Sequence, residues 1–245
     1  MRFANQVAII TGAGSGIGLA TASLLGREGA RVVIADLSKE KAQRAAAETT
    51  DAGAPEAMGL ACDVSRESDV VATVQTTLDR FSRLDILVNN AGLMIFKPLE
   101  EQTGEDWTRM LGVDLLGAFY FIKQGFLRMK HGGSIVNVSS IHAVETTPLV
   151  SAYAAAKAAL LSLTRSASLE GKSRGIRVNA ILPGAVNTPM LWENPNVKSG
   201  LEHIDRGMLG TPEDIAEVIA FLVSPAAAFV VGSAVIVDGG RLGKL

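Results

Sequence analysis

Tyr153 and Lys157 stand four residues apart in Ser151–Glu170, a segment rich in Ala and Leu. On a helix that spacing puts both side chains on one face. A phenol beside an ammonium can give a proton to, or take one from, an oxygen of a reacting molecule. The phenol ordinarily titrates near 10, so work at neutral pH asks that it be brought down by roughly 3 pH units, about 4 kcal/mol. A nearby ammonium in a low-dielectric cleft supplies part of that. Ser140, thirteen residues upstream of Tyr153, can hold the same substrate oxygen through its hydroxyl. Alone the pair is ambiguous, since Tyr-x-x-x-Lys also decorates ordinary helix surfaces. Tyr120, the other tyrosine, has Gln124 at that offset and no base partner.

A second group lies near the start. Gly12-Ala-Gly-Ser-Gly-Ile-Gly18 follows the apolar run Val7–Thr11 and opens a helical pattern at Gly16–Glu28. Glycines let the backbone turn sharply and approach a pyrophosphate closely, and a helix N-terminus favours the anion. The spacing reads Gly12-x-x-x-Gly16-x-Gly18 and does not fit the literal G-x-G-x-x-G dinucleotide fingerprint. Asp36 ends the next apolar run, eighteen residues past Gly18. Its carboxylate can accept both hydroxyls of an adenosine ribose and would repel a 2′-phosphate. Ala13 and Ser15 in the glycine loop offer no cation to that phosphate, so the pattern predicts NAD over NADP. Asp63 and Val64 can meet the adenine edge, and the small polar run Asn89-Asn90-Ala91-Gly92 can pass beneath the cofactor. An oxidised nicotinamide next to Tyr153 would supply further positive charge to the phenol.

These groups need a scaffold that brings them to one edge. Val7–Thr11, Arg31–Asp36, Ala57–Cys62, Leu84–Val88, Ser134–Val138, Arg177–Leu182 and Ala234–Val237 read as strands. Between them run helical patterns at Gly16–Glu28, from a Ser38 N-cap to Thr50, from Ser65 to Arg80, and over Glu105–Met129, Ser151–Glu170 and Pro212–Leu222. Most of these strands are continuous β-branched runs without alternation, so both faces must be covered. The expected fold is α/β, a single doubly wound domain over residues 1–245 with a parallel sheet and helices on both faces. Asn187–Gly210, rich in Pro, Asn and Gly, breaks the rhythm and is expected to form a substrate lid.

In that order and spacing the motifs resemble the short-chain dehydrogenase/reductase family over essentially the whole chain. They are Thr11–Gly18, Asn89–Gly92, Ser140 with Tyr153-x-x-x-Lys157, Pro183-Gly184 followed by Thr188, and Asp238-Gly-Gly240. The resemblance implies a Rossmann-type seven-stranded sheet, a homotetramer, and hydride transfer between a nicotinamide and a secondary alcohol, polyol or sugar hydroxyl. It implies Tyr153 as general acid/base, Ser140 orienting the carbonyl, and Lys157 holding the nicotinamide ribose while lowering the phenol's pKa. Cofactor contacts are expected at Gly12, Ser15, Gly16, Ile17 and Gly18, and at Asp36 with Leu37. Asn90, Ala91 and Gly92 would lie by the ribose; Pro183, Gly184, the backbone of Val186 and the side chain of Thr188 would lie by the carboxamide. One position departs from the family: where it carries Asn within Val-Asn-Leu, this chain has Val113-Asp114-Leu115. That Asn supports a water relay to the lysine, partly through its backbone carbonyl, and Asp114 is expected to keep the role.

The substrate pocket is expected to draw on Met94, Ile141, His142, Val144, Ala185, Met190, Leu191 and Trp192, with His142 able to hydrogen-bond a polyol or carboxylate. Ser139–His142, Pro148-Leu149 and Pro183–Pro189 are similar to bacterial glucose 1-dehydrogenases of the family; 3-oxoacyl thioester reductases and hydroxybutyrate dehydrogenases share the general pattern. A non-catalytic dinucleotide sensor would be expected to have lost Tyr153 or Lys157.

Composition narrows the rest. A net charge of −2 with no basic run argues against nucleic acid or an anionic membrane as partner. Cys62 is the one cysteine, which fits a reducing, cytoplasmic setting and a small core residue. The apolar start Val7–Ile10 is too short for a leader or a membrane span. His131, His142 and His203 stand apart without metal-ligand spacing, so no metal is expected.

Overall fold

Apolar runs without a polar alternation can be stable only when both faces are covered. The computed structural model covers them by alternating each strand with a helix. It describes all residues except 130, 131, 202, 203, 205, 206, 208 and 245, so His131, His203 and part of the expected lid lie outside the described residues. The chain runs β1 (Val7–Thr11), α1 (Gly16–Arg27), β2 (Arg31–Asp36), α2 (Lys39–Asp51), β3 (Glu56–Ala61), α3 (Glu67–Phe81) and β4 (Ile86–Asn89). It continues α4 (Gly104–Leu111), α5 (Gly117–Arg128), β5 (Gly133–Val138), α6 (Ser151–Gly171) and β6 (Ile176–Pro183). Two short helices follow, α7 (Pro189–Glu193) and α8 (Pro195–Lys198), then α9 (Pro212–Val223) and β7 (Ala234–Val237).

The seven strands form one sheet in the order β3-β2-β1-β4-β5-β6-β7, all pairs parallel. Successive side chains of a strand point to opposite faces, and the core divides accordingly. Ala8, Ile10, Val32 and Ile34 pack with Leu24 and Leu25 of α1 and Ile215 and Ile219 of α9. On the other face Val7, Ile9, Val33 and Ala35 pack with Val70 and Val74 of α3 and Phe121 and Ile122 of α5. The chain reverses its direction of winding between β1 and β4, and in such sheets the crevice outside the strands' C-terminal ends at that point receives ligands.

Several boundaries differ from the sequence reading. β3 begins and ends one residue earlier, and β4 begins at Ile86 because Asp85 instead holds the N–H of Val7 at 2.8 Å and the Arg83 guanidinium. Ser65 does not open a helix: the Asp63 carboxylate binds its N–H and hydroxyl, and α3 starts at Glu67. Ser38 does cap α2, accepting from Lys41 N–H at 3.2 Å. The long pattern Glu105–Met129 is not one regular helix, because a π-helical turn at Gly112–Leu116 separates α4 from α5. The stretch Gly104–Arg128 has the length and hydropathy of a membrane span, yet half of its most apolar window is buried within the fold, which is the pattern of a core helix.

Candidate active site

The glycine turn is shaped by contacts that only glycine permits. Gly12 and Gly16 have φ of 60° and 55°, the left-handed region that glycine adopts without steric cost. A Cβ on Gly18 would stand 2.6 Å from Asn90 Nδ2 and 2.7 Å from Ala13 Cα and Gly12 O. Gly18 therefore lets α1 press against the β4 loop and does not itself line the cleft. Asn90 donates from its amide to the carbonyls of Thr11 (2.9 Å) and Gly12 (3.1 Å), and the Thr11 hydroxyl accepts from the N–H groups of Asn90 and Ala91 at 3.0 Å each. These bonds fasten the turn after β1 to the loop after β4. Asp36 ties the turn to β2, its carboxylate accepting from Gly14 N–H at 2.9 Å and Ser38 N–H at 3.0 Å.

Above these turns lies a cleft of about 600 Å³, a usual size for a small-molecule site. Gly12, Ser15, Gly16, Ile17, Asp36, Leu37, Asp63, Val64, Asn90, Ala91 and Gly92 line one part of it. Pro183, Gly184, Val186 and Thr188 line another, together with Ser140, Tyr153 and Lys157. Positive-φ glycines at a helix N-terminus, with a carboxylate at the end of the next strand beside them, fit a dinucleotide.

α6 is fastened to the sheet at the depth the acid–base pair requires. Ser139, just past β5, donates its hydroxyl to the carbonyl of Lys157 at 2.9 Å, and Lys157 Nζ donates to the carbonyl of Val138 at 3.0 Å. A buried chain adds to this: Asn89 Nδ2 to Asn137 Oδ1 at 2.8 Å, then Asn137 Nδ2 to Thr164 Oγ1 at 2.9 Å. Lys157 Nζ lies 5.5 Å from the centre of the Tyr153 ring, and the His142 ring meets that ring edge-on at 5.9 Å. Ser140 is buried and accepts from His142 N–H at 3.2 Å.

Asp114, in the π-helical turn, is sealed beneath this group. Its carboxylate pairs with Lys157 Nζ at 3.1 Å and accepts from Leu93 N–H at 3.3 Å, with both pair members almost wholly buried. Burial works against the ammonium of Lys157, and Asp114 more than restores it, aided by Tyr153, so Lys157 holds its proton above the usual lysine range. Burial likewise lifts Asp114 above the usual aspartate range, with Lys157 and Leu93 N–H pulling it back. The phenol of Tyr153 stands above its ordinary value: burial raises it, Lys157 lowers it, Asp114 raises it and Ser140 lowers it. Lys157 lowers the phenol as expected, but only in part. Burial and the Asp114 charge outweigh it in the protein without cofactor.

Other expectations divide. Met94, Ile141, His142, Ala185, Met190 and Leu191 line the cleft. Val144 and Trp192 do not: Val144 is exposed, and Trp192 turns out to the surface, donating Nε1–H to Asn187 Oδ1 at 2.7 Å. Asp114 does not itself line the cleft but meets two residues that do, Lys157 and Leu93. Leu93, Arg109, Val113, Asn194 and Arg241 line the cleft and were not foreseen, and Cys62 is both buried and part of its wall. Leu93 and Cys62 follow strand ends, the position from which they could have been read. Arg109 and Asn194 carried no such signal. The segment after β6 is anchored at its base, where Val186 bridges Gly210, and over its middle, where buried Asn196 donates to the carbonyl of Pro148 at 3.0 Å.

Comparison with known proteins agrees with this geometry. Residues 12–241 match the family described as enoyl-(acyl carrier protein) reductase. The chain is 39% identical to 2-(S)-hydroxypropyl-CoM dehydrogenase 3 of Xanthobacter autotrophicus, over 98% of this chain and 97% of that protein. It is 44% identical to cis-4-hydroxycyclohexanecarboxylate dehydrogenase of Sinomonas cyclohexanicum, over 97% of each. A 3-oxoacyl-(acyl-carrier-protein) reductase of Thermotoga maritima is 37% identical over 98% of this chain and 99% of its own.

Proposed function

The chain belongs to the short-chain dehydrogenase/reductase family, and on that premise we propose that it is an NAD-dependent dehydrogenase of a secondary alcohol. The observation that carries the proposal is the meeting of Ser140, Tyr153 and Lys157 in the cleft that the glycine turn opens. The bound dinucleotide would supply the hydride acceptor in oxidation and the donor in reduction. Ser140 and Tyr153 hold the substrate oxygen between two hydroxyls. In oxidation the ionised phenol takes the alcohol proton, and in reduction the phenol gives it back. Lys157 stabilises the ionised phenol and offers a donor to a ribose hydroxyl. Leu93, Met94, Ile141, Met190 and Leu191 give the cleft an apolar wall, which supports a compact alicyclic or aliphatic alcohol. His142 supplies a polar contact for a further hydroxyl or a carboxylate.

Asp36 at the end of β2 supports NAD over NADP, through acceptance from the ribose and repulsion of a 2′-phosphate. The segment 187–210, which begins against the glycine turn and is pinned at its base, acts as the substrate lid of the single domain. Exposed Phe119 and Leu127 on α5, Leu169 on α6 and Ile236 on the edge strand β7 support assembly into a homotetramer, and a single cysteine fits the cytoplasm.

A second reading, reduction of a 3-oxoacyl thioester, rests on the likeness to the Thermotoga protein. A screen for NADH formation over cyclic and aliphatic alcohols, hydroxy acids, polyols and sugars, run beside NADPH oxidation with an acetoacetyl thioester, separates the two. Turnover of the alcohols with NAD is expected; turnover only of the thioester with NADPH would replace the first reading by the second.

A further inference from the structure

The sealed carboxylate beneath the acid–base pair has consequences for when Tyr153 can act. Asp114 meets Lys157 from a π-helical turn, a widening often found at functional sites. Gly92 completes the access: a Cβ there would stand 3.0 Å from Asp114 Oδ1 and 3.5 Å from Lys157 Nζ. The ammonium thus has both a carboxylate at 3.1 Å and a phenol ring centred 5.5 Å away. Opposite charges within a few ångströms favour the charged forms of both partners, and a carboxylate that shares the ammonium opposes a phenolate beside it.

We infer that Asp114 is a positioning residue that fixes Lys157 and offsets its charge toward Tyr153, so that this enzyme's alcohol oxidation sets in at higher pH than an uncharged side chain at position 114 would give. The inference rests on Tyr153 being the acid–base group of the proposed dehydrogenase. Few other groups compete for this role. From the β5 loop, His142 meets the Tyr153 ring, and Glu145 follows it on the same loop. From α4, Arg109 reaches the cleft, while Asp106 is engaged by Lys97. On α5 Lys123 pairs with Glu67, and on β6 Arg177 donates to the carbonyls of Leu222, Ser224 and Ala227. Asp36, Asp63 and Arg241 line the same cleft.

The test compares wild type with Asp114→Asn, an uncharged side chain of the same size. With NAD and cyclohexanol, the rising limb of the kcat–pH profile is expected to move down by about one pH unit or more. The plateau kcat should stay within about tenfold of wild type, and NADH affinity should not change. A rising limb that stays in place, or a plateau lost by more than about 100-fold without a shift, would overturn the inference. A second reading needs no turnover. In Tyr120→Phe, Tyr153 is the one remaining phenol, and its ultraviolet titration reports its ionisation directly. Adding Asp114→Asn should lower that midpoint, and an unchanged midpoint would refute the inference even if no alcohol proves to be a substrate. Failure of every alcohol with a lowered midpoint would instead count against the proposed function alone. Should Asp114→Asn not fold, the infrared spectrum of the wild type decides. Asp114 is expected to be ionised at neutral pH, and a buried protonated carboxyl band assigned to it there would overturn the inference.

Discussion

Replacing Asp36 by Asn tests the cofactor end of the cleft. The carboxylate closes the glycine turn by accepting from Gly14 N–H at 2.9 Å and Ser38 N–H at 3.0 Å. Asn keeps one oxygen for Gly14 and removes the charge. A hydrogen bond to a charged acceptor contributes about 1.5–3 kcal/mol. Loss of the ribose contact therefore predicts an NADH Kd raised roughly 10- to 150-fold. For NADPH the terms oppose each other. A phosphate charge about 4 Å from a carboxylate is disfavoured by about 1 kcal/mol in water and about 4 kcal/mol at an effective dielectric of 20. Because Asp36 is half-exposed, a value near 2 kcal/mol applies, about 30-fold in affinity. Wild type should then bind NADH at least about 30-fold more tightly than NADPH. In Asp36→Asn the NADH advantage should collapse to within about threefold. Quenching of intrinsic fluorescence by each reduced cofactor measures both constants, and a thermal melt checks that the turn survives. Equal binding of NADH and NADPH by the wild type would refute the reasoning, as would an unchanged preference in the variant.

Two further outcomes follow from the walls of the cleft. Gly18→Ala should lower the Tm by about 3–10 °C and weaken NADH binding more than tenfold, because two of the three closest atoms to its new Cβ are backbone atoms of the turn; thermal melts and NADH quenching that match wild type would contradict this. Burial pushes the Cys62 thiol up to about 11, with Thr73 pulling the other way. At neutral pH it should then react with a thiol reagent about 300-fold more slowly than a free cysteine, and NADH should slow it further because Cys62 lines the cleft; a rate like that of free cysteine would show the thiol to be accessible.

The sheet was legible because its central strands are β-branched runs, such as Arg31–Asp36, that tolerate only burial on both faces. The site was legible because its groups follow strand ends: Gly12 after β1, Asp36 at the end of β2, Asn90 after β4, Ser140 after β5. Asn90 illustrates the limit of that reading, since its side chain is spent on the carbonyls of Thr11 and Gly12, a role that needs three-dimensional contact to see. The π-helical turn left no mark, because the apolar spacing of Glu105–Met129 suits an unbroken helix equally well. Trp192 was misplaced for a related reason: aromatic character says nothing about which side of a short helix faces the cleft. The electrostatics lay furthest from the sequence. Tyr153 and Lys157 could be paired by spacing, but the third charge, forty-three residues from Lys157, enters only through the fold.

The central claim is that Tyr153 moves the proton while other residues hold the cofactor. The most direct measurement is NADH formation from NAD and an alcohol substrate by wild type and Tyr153→Phe, with NADH affinity determined on both proteins. Loss of kcat by about 10³-fold or more with NADH affinity unchanged is the predicted result. Turnover in Tyr153→Phe comparable to wild type would contradict it and move the acid–base chemistry to another group in the cleft.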